Sequence, residues 1–303
     1  MNKKRIVIMC MGIAVAAIVA LAVFRMKNTD DISTVPTSDD NVEEREDQED
    51  TVSASIWFKK DLVYDADNRD SCKMDVAYLR NGSLKPLLIC VHGGYYSSGS
   101  KSDMKQYVDE FSADGYVTAS IDYPLLPNGT IVTQIESVIK AVDYFAANAD
   151  IYEIDRDRIF LLGFSSGAHI AVSAAERIAE RKSNQFTLAA LIDISGPTDY
   201  KYMIEEYGGE DLVSSAIIDG NEEADLLKEL EKVDCTDNIT PSLPRTMIVH
   251  GKKDETVPYE VAERFYDSLT AAGVNAELKI ISSMGHVTDT NIIIPLIKTF
   301  FER

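Results

Sequence analysis

The pentapeptide Gly163-Phe164-Ser165-Ser166-Gly167 fits G-x-S-x-G, the spacing that holds a serine on a sharp turn between a strand and a helix. The apolar run RIFLL precedes it and the helical pattern GAHIAVSAAERIAERK follows, so both flanking elements are present. A serine hydroxyl is a weak nucleophile near neutral pH; it needs a base, and the base needs an orienting acid. For a serine on such a turn the chain order is Ser, then Asp or Glu, then His. The chain has four histidines, which makes elimination practicable. His92 and His169 precede any acid in the required place, and His250 closes a strand-like run with no room for an intervening acid. His286, in SSMGHVTD, remains as the base. The acid is expected in HGKKDETVP, as Asp254, with Glu255 the alternative.

A second stretch, HGGYYSSGSKS from His92 to Ser102, leaves the apolar run PLLICV. Phosphate-cradling and oxyanion-binding loops both use such residues. A phosphate loop reads G-x-x-x-x-G-K-[ST], but here Ser100 separates Gly99 from Lys101 and puts the lysine one place late. Attack by Ser165 on a carbonyl would create an oxyanion that needs N–H donors. Ser166 supplies one at its helix start. Gly93, Gly94 and Tyr95 supply the loop side, with the N–H groups of Gly94 and Tyr95 favoured. His92 is expected to fix this loop, and His169 to pack or bond to backbone. Tyr96 and Tyr123 are read as substrate-binding side chains lining the pocket, with packing under the loop as the competing reading.

These residues need a scaffold. Strand-like runs recur at 86–91, 117–123, 158–164, 188–195, 246–251 and 277–282, separated by stretches of helical periodicity. SIWFKKDLVY and KMDVAYLR alternate as an N-terminal β-hairpin. Strand alternating with helix implies an α/β fold, a mostly parallel central sheet with helices on both faces. Chemistry collects at the carboxyl ends of such strands, where Ser165, Asp254, His286 and the HGG loop all fall.

The chain of 303 residues carries a net charge of −20, which excludes nucleic acid as a partner, since no cationic excess exists to neutralise phosphates. Residues 1–27 hold Lys3, Lys4 and Arg5, then an uncharged apolar run from Ile6 to Phe24, then Arg25 and Lys27. This segment is expected to be a membrane anchor placing the rest outside the cytoplasm, with a cleaved signal and secretion as the alternative. Residues 28–55 are acidic and poor in large apolar side chains, as a disordered linker would be. The catalytic domain is expected over 56–303. No metal-ligand spacing is present. Among the four cysteines, Cys72 and Cys235 are the pair whose bridging stays open.

Taken together, HGGYY, SIDYPLLP, GFSSGAHIA, DISGPTDY, HGKKDETVPY and the late GH resemble the α/β-hydrolase fold esterases of the acetyl-esterase and hormone-sensitive-lipase-like group. The resemblance runs from about residue 56 to the end. It implies the α/β-hydrolase fold, a Ser165–Asp254–His286 triad, an oxyanion loop at Gly93, Gly94 and Tyr95, and cleavage of short-acyl carboxylic esters without metal or organic cofactor. Its relatives outside the cytoplasm suggest acetyl or feruloyl groups on plant polysaccharides, so the substrate is a small-molecule or glycan-linked ester. An amidase or peptidase with the same triad and a non-catalytic binding module are the rival readings. Relatives often carry glycine where Tyr95 and Ala168 stand and Tyr-Arg-Leu where this chain has Tyr123-Pro124-Leu125. These departures leave the substrate pocket open.

Overall fold

Apolar runs of alternating or continuous type form the strands of one eight-stranded sheet in a computed structural model of the chain. The structure describes residues 56–181, 185–208, 230–287 and 289–303. The strands are β1 (Ile56–Val63), β2 (Lys73–Leu79), β3 (Lys85–Val91), β4 (Val117–Ile121), β5 (Ile154–Phe164), β6 (Leu188–Ile194), β7 (Arg245–Gly251) and β8 (Ala276–Ile281). Their spatial order is β1-β2-β4-β3-β5-β6-β7-β8. β1 pairs antiparallel with β2, and β2 antiparallel with β4. Every later pairing is parallel. The mostly parallel sheet and its N-terminal hairpin are those expected from the sequence. β5 begins four residues earlier than its apolar core suggests, because the polar stretch Ile154–Arg158 still pairs at Lys85↔Ile154.

The helices are α1 (Lys105–Ala113), α2 (Ile131–Ala147), α3 (Ala149–Tyr152), α4 (Ser166–Ala179), α5 (Tyr200–Tyr207), α6 (Tyr259–Ala271) and α7 (Thr290–Phe301). Period-2 alternation along the central strands sends Leu87, Ile89 and Val91 to one face and Leu88 and Cys90 to the other. Helices α2, α4 and α6 cover the first face; α1 and α7 cover the second, with Phe160 and Phe301 stacked 4.3 Å apart between them. Helix α4 is buried nearly all round. Its alanines at 168, 171, 174 and 175 let it lie close to both sheet and α2, which a larger side chain would prevent.

Cys72, Cys90 and Cys235 are buried free thiols, so the bridge left open between Cys72 and Cys235 is not made. Cys72 lies beside Ser137 and Cys235 beside Ser173. The expected anchor at 1–27 and expected linker at 28–55 lie outside the described residues, as does 209–229. Among the described residues, no helix is long and apolar enough to cross a membrane.

Lys101, the displaced lysine of the glycine-serine loop, closes that loop onto the hairpin. Its Nζ lies 2.7 Å from Asp61, 3.4 Å from Asp75 and 3.5 Å from Asp122, with its side chain 14% exposed. Burial alone would lower its pKa, but the three carboxylates raise it to about 12. The Lys101 hydrogen bond in turn holds Asp61 below the usual carboxylate range. The ammonium is therefore charged at every pH below about 12, and the cluster weakens only as acid protonates its carboxylates. Replacing Lys101 by Met should cost about 1–3 kcal/mol near pH 7, because three carboxylates lose their counter-ion. Urea midpoints should show the deficit shrinking as pH falls below about 4, where Asp61 takes up its proton; a deficit independent of pH down to pH 2 would reject this ionic account.

Candidate active site

Strand β5 ends at Phe164 and α4 begins at Ser166, so Ser165 carries the whole reversal, at φ 55° and ψ −126°. An L-residue rarely adopts this conformation, and holding one there costs about 1–3 kcal/mol. The Ser165 N–H donates to Ile194 O at 2.8 Å, and Ser165 O accepts from Ala168 N–H at 2.9 Å. A Cβ on Gly167 would stand 2.1 Å from His92 O and 2.4 Å from Val91 O. Only glycine lets α4 start this close to β3.

Ser165 Oγ lies 2.8 Å from His286 Nε2, and His286 Nδ1 lies 2.7 Å from Asp254 Oδ2. The carboxylate can only accept, so Nδ1 carries the proton of the neutral ring and Nε2 receives the serine hydroxyl. The three arrive from the ends of β5, β7 and β8. The Asp254 side chain is fully buried, while the His286 side chain is 17% exposed and Ser165 is 8% exposed. Asp254 Oδ1 accepts the N–H groups of Thr256 at 2.8 Å and Val257 at 2.9 Å, which fixes the carboxylate's plane. Burial would raise its pKa, but contacts with His250 and His286 and the Val257 N–H hold it well below the usual range. Glu255, the alternative acid, is exposed.

The HGG loop folds directly over this serine. A Cβ on Gly93 would lie 3.0 Å from Ser165 Cβ and 2.8 Å from Phe164 O. Gly94, Tyr95 and Tyr96 all take positive φ, at 125°, 53° and 63°, and Ser97 and Ser98 donate back to Gly94 O. Among the described residues, the N–H groups of Gly94, Tyr95 and Ser166 meet no acceptor. These three N–H groups are the ones that the sequence reading favours as oxyanion donors.

For Tyr96 and Tyr123, of the two readings held from sequence, the structure has the packing under the loop in place of substrate contact. Tyr123 is 2% exposed; its hydroxyl donates to His92 O at 2.7 Å and its ring stacks on His92 at 4.3 Å. Tyr96 is 8% exposed and its hydroxyl meets His169 Nδ1 at 3.1 Å and the Tyr200 hydroxyl. Both phenols are already bound to protein and pack beneath the loop. Tyr95, at 36% exposure, is the tyrosine that reaches solvent. His92 donates from Nδ1 to Gly93 O at 2.7 Å, and His169 donates from Nε2 to Val233 O at 2.5 Å. Burial pushes both below the ordinary imidazole value, His169 to about 4, so both are neutral supports.

Three supporting residues escaped the sequence reading. Gln134 Nε2 donates to Tyr96 O at 2.8 Å and Pro124 O at 2.9 Å; nothing in its helical stretch signals this. Tyr200 lies in DISGPTDY, a motif without an obvious role. His250 approaches Asp254, and its spacing of four residues in HGKKD was the signal available. The whole arrangement offers an activated hydroxyl, a proton acceptor with an anchored counter-charge, and N–H donors for a developing oxyanion.

A family model described as BD-FAE matches residues 74–269. The chain is 28% identical over 240 residues to a probable isoprenylcysteine alpha-carbonyl methylesterase of Oryza sativa subsp. japonica, covering 75% of this chain and 56% of that protein. It is 27% identical over 255 residues to an isoprenylcysteine alpha-carbonyl methylesterase of Arabidopsis thaliana, covering 78% and 58%. The chain therefore spans little more than half the length of these plant relatives. Among solved structures, esterase B from Lactobacillus rhamnosis superposes with a TM-score of 0.70 at 17% identity, over 82% of this chain and 85% of that one. A truncated carbohydrate esterase from gut microbiota superposes with a TM-score of 0.68 at 21% identity, over 81% and 95%. At these identities the superpositions establish a shared fold, that of the α/β-hydrolases.

Gly93→Ala tests the contact between loop and serine. The added methyl should push the loop off Ser165 and slow labelling by a fluorophosphonate by at least ~10²-fold, because the tetrahedral adduct loses its oxyanion donors. Far-UV circular dichroism should be unchanged. Labelling within ~3-fold of the parent would show that this close approach is not required.

Proposed function

The chain belongs to the BD-FAE family, and on that premise we propose that it is a carboxylesterase working through an acyl-enzyme. The observation that carries this reading is the continuous hydrogen-bonded series Ser165–His286–Asp254. Ser165 Oγ attacks the ester carbonyl as His286 Nε2 takes its proton. Asp254 keeps the proton on Nδ1 and stabilises the imidazolium. The N–H groups of Gly94, Tyr95 and Ser166 receive the oxyanion. Collapse expels the alcohol, which takes the proton back from His286. Water, deprotonated by the same imidazole, then releases the acid and restores the serine.

The substrate class we favour is a short-acyl ester, acetyl among them, on a small molecule or glycan. Support for a glycan-linked ester is a fold neighbour named as a carbohydrate esterase; the relatives named as methylesterases support ester cleavage, their single-carbon group lying on the alcohol side. We also propose that residues 1–27 tether the domain to a membrane, outside the cytoplasm. The support is the basic-apolar-basic pattern followed by the acidic stretch at 28–55.

Esterase assays with p-nitrophenyl acetate through octanoate, on residues 1–303 in detergent, test the reading. The acetate ester should give the highest kcat/KM. Ser165→Ala should lose at least ~10³-fold and Asp254→Asn about 10³–10⁴-fold in kcat. Because Asp254 is held well below the usual carboxylate range, its protonation should cause no fall in kcat/KM between pH 8 and pH 5. A folded protein that hydrolyses no ester and takes up no fluorophosphonate would overturn the proposal.

A further inference from the structure

Asp254 is approached by a second imidazole. His250, at the end of β7, places Nε2 3.2 Å from Asp254 Oδ2 and 2.9 Å from Val257 O, and both side chains are fully buried. Both neighbouring oxygens accept, so Nε2 carries a proton in either charge state of the ring. Oδ2 is the same atom that takes the His286 Nδ1 proton at 2.7 Å. One carboxylate oxygen therefore holds two imidazoles, and only one of them reaches Ser165.

On the far side of the ring, His250 Nδ1 has no hydrogen-bond partner among the described residues. Asp193, buried on β6, lies close enough for the two to influence each other; its Oδ1 accepts the Gly196 N–H at 2.8 Å and its Oδ2 is unpartnered. Burial pushes Asp193 up to about 6. Burial would lower His250, but Asp254, Val257 O and Asp193 together raise it. Those two carboxylates, with His286 beyond Asp254, are the titratable groups that face this ring.

We propose that His250 is a positioning residue for the reaction: it holds Asp254 Oδ2 in line with His286 Nδ1 and offsets part of the carboxylate's charge, tempering the pull of Asp254 on the catalytic imidazole. The proposal rests on the triad reading above. No established step of serine catalysis needs a second imidazole, so its presence on the orienting acid calls for a separate role. Without it, Asp254 would present its full charge to His286 alone. The imidazolium would be stabilised further and the acidic limb of kcat/KM would move to higher pH. The carboxylate would also lose a restraint, which lowers kcat while leaving substrate contacts alone.

Two variants separate these effects from simple loss of packing. His250→Leu removes the donor; His250→Gln sets an amide nitrogen near the Nε2 position and cannot titrate. With p-nitrophenyl acetate over pH 5–9, His250→Leu should lower kcat ~10–100-fold with KM within ~3-fold, and the acidic limb should rise by about half a pH unit or more. His250→Gln should recover most of kcat. A folded His250→Leu protein with an unmoved acidic limb, or one that Gln does not improve on, overturns the proposal. If His250→Leu fails to fold, long-range 1H–15N spectra of the histidine-labelled parent decide: His250 should keep its Nε2 proton from pH 5 to 9, and its signals should shift in Asp254→Asn. A bare Nε2, or no shift, overturns it. Ser165→Ala in the same series reads the triad independently: activity surviving there would sink the triad reading, while the spectra would still report on His250 and Asp254.

Discussion

The reversal at Ser165 is the constraint on which the rest of the site depends. The backbone sits at φ 55°, where a side chain is disfavoured by about 1–3 kcal/mol, and nothing local relieves it. Its support comes from neighbouring strands: β6 receives the Ser165 N–H through Ile194 O, and the end of β3 crowds Gly167 so closely that no Cβ fits. The same crowding seats Gly93 against Ser165 Cβ. Ser165 and the Gly93–Gly94 loop are thus placed by one packing arrangement, and neither can move without the other. A strained turn survives because the surrounding sheet and helix α4 over-determine it.

The second hub is a charge. Asp254 would be costly to bury alone, yet it is surrounded by two backbone N–H groups and two imidazoles. Four donors make the carboxylate the better-satisfied form, so it stays anionic far below the working range. Such a lasting anion keeps the His286 Nδ1 proton in place. It suits the proposed roles, in which the base gains and loses a proton in each turnover and its orienting acid does not.

Much of this was legible in the sequence, and the unread part has a consistent physical character. Strand and helix periodicity located the sheet, since parallel strands covered on both faces read as continuous apolar runs. Ser165, Asp254 and His286 could be named because order along the chain and strand-end position restrict the choice. Sequence left Tyr96 and Tyr123 between two readings, because aromatic residues beside a site look alike whether they face substrate or pack below the loop. Only their partners, the His92 carbonyl, His169 and Tyr200, distinguish the two. Gln134 was invisible for the same reason: its two acceptors are backbone carbonyls, which carry no sequence signature.

The four histidines show how burial divides one side chain among different tasks. His92 and His169 each donate to a carbonyl in a dry environment that favours the neutral ring, and this makes them dependable struts at any pH near 7. His250 is as deeply buried, but two carboxylates reverse the balance and pull its proton affinity up. His286 alone reaches partial exposure, with one ring nitrogen on Asp254 and the other on the serine hydroxyl. His286 is thus the one imidazole of the four that combines a fixed counter-charge with access to water. The other three build the walls that make such a position possible.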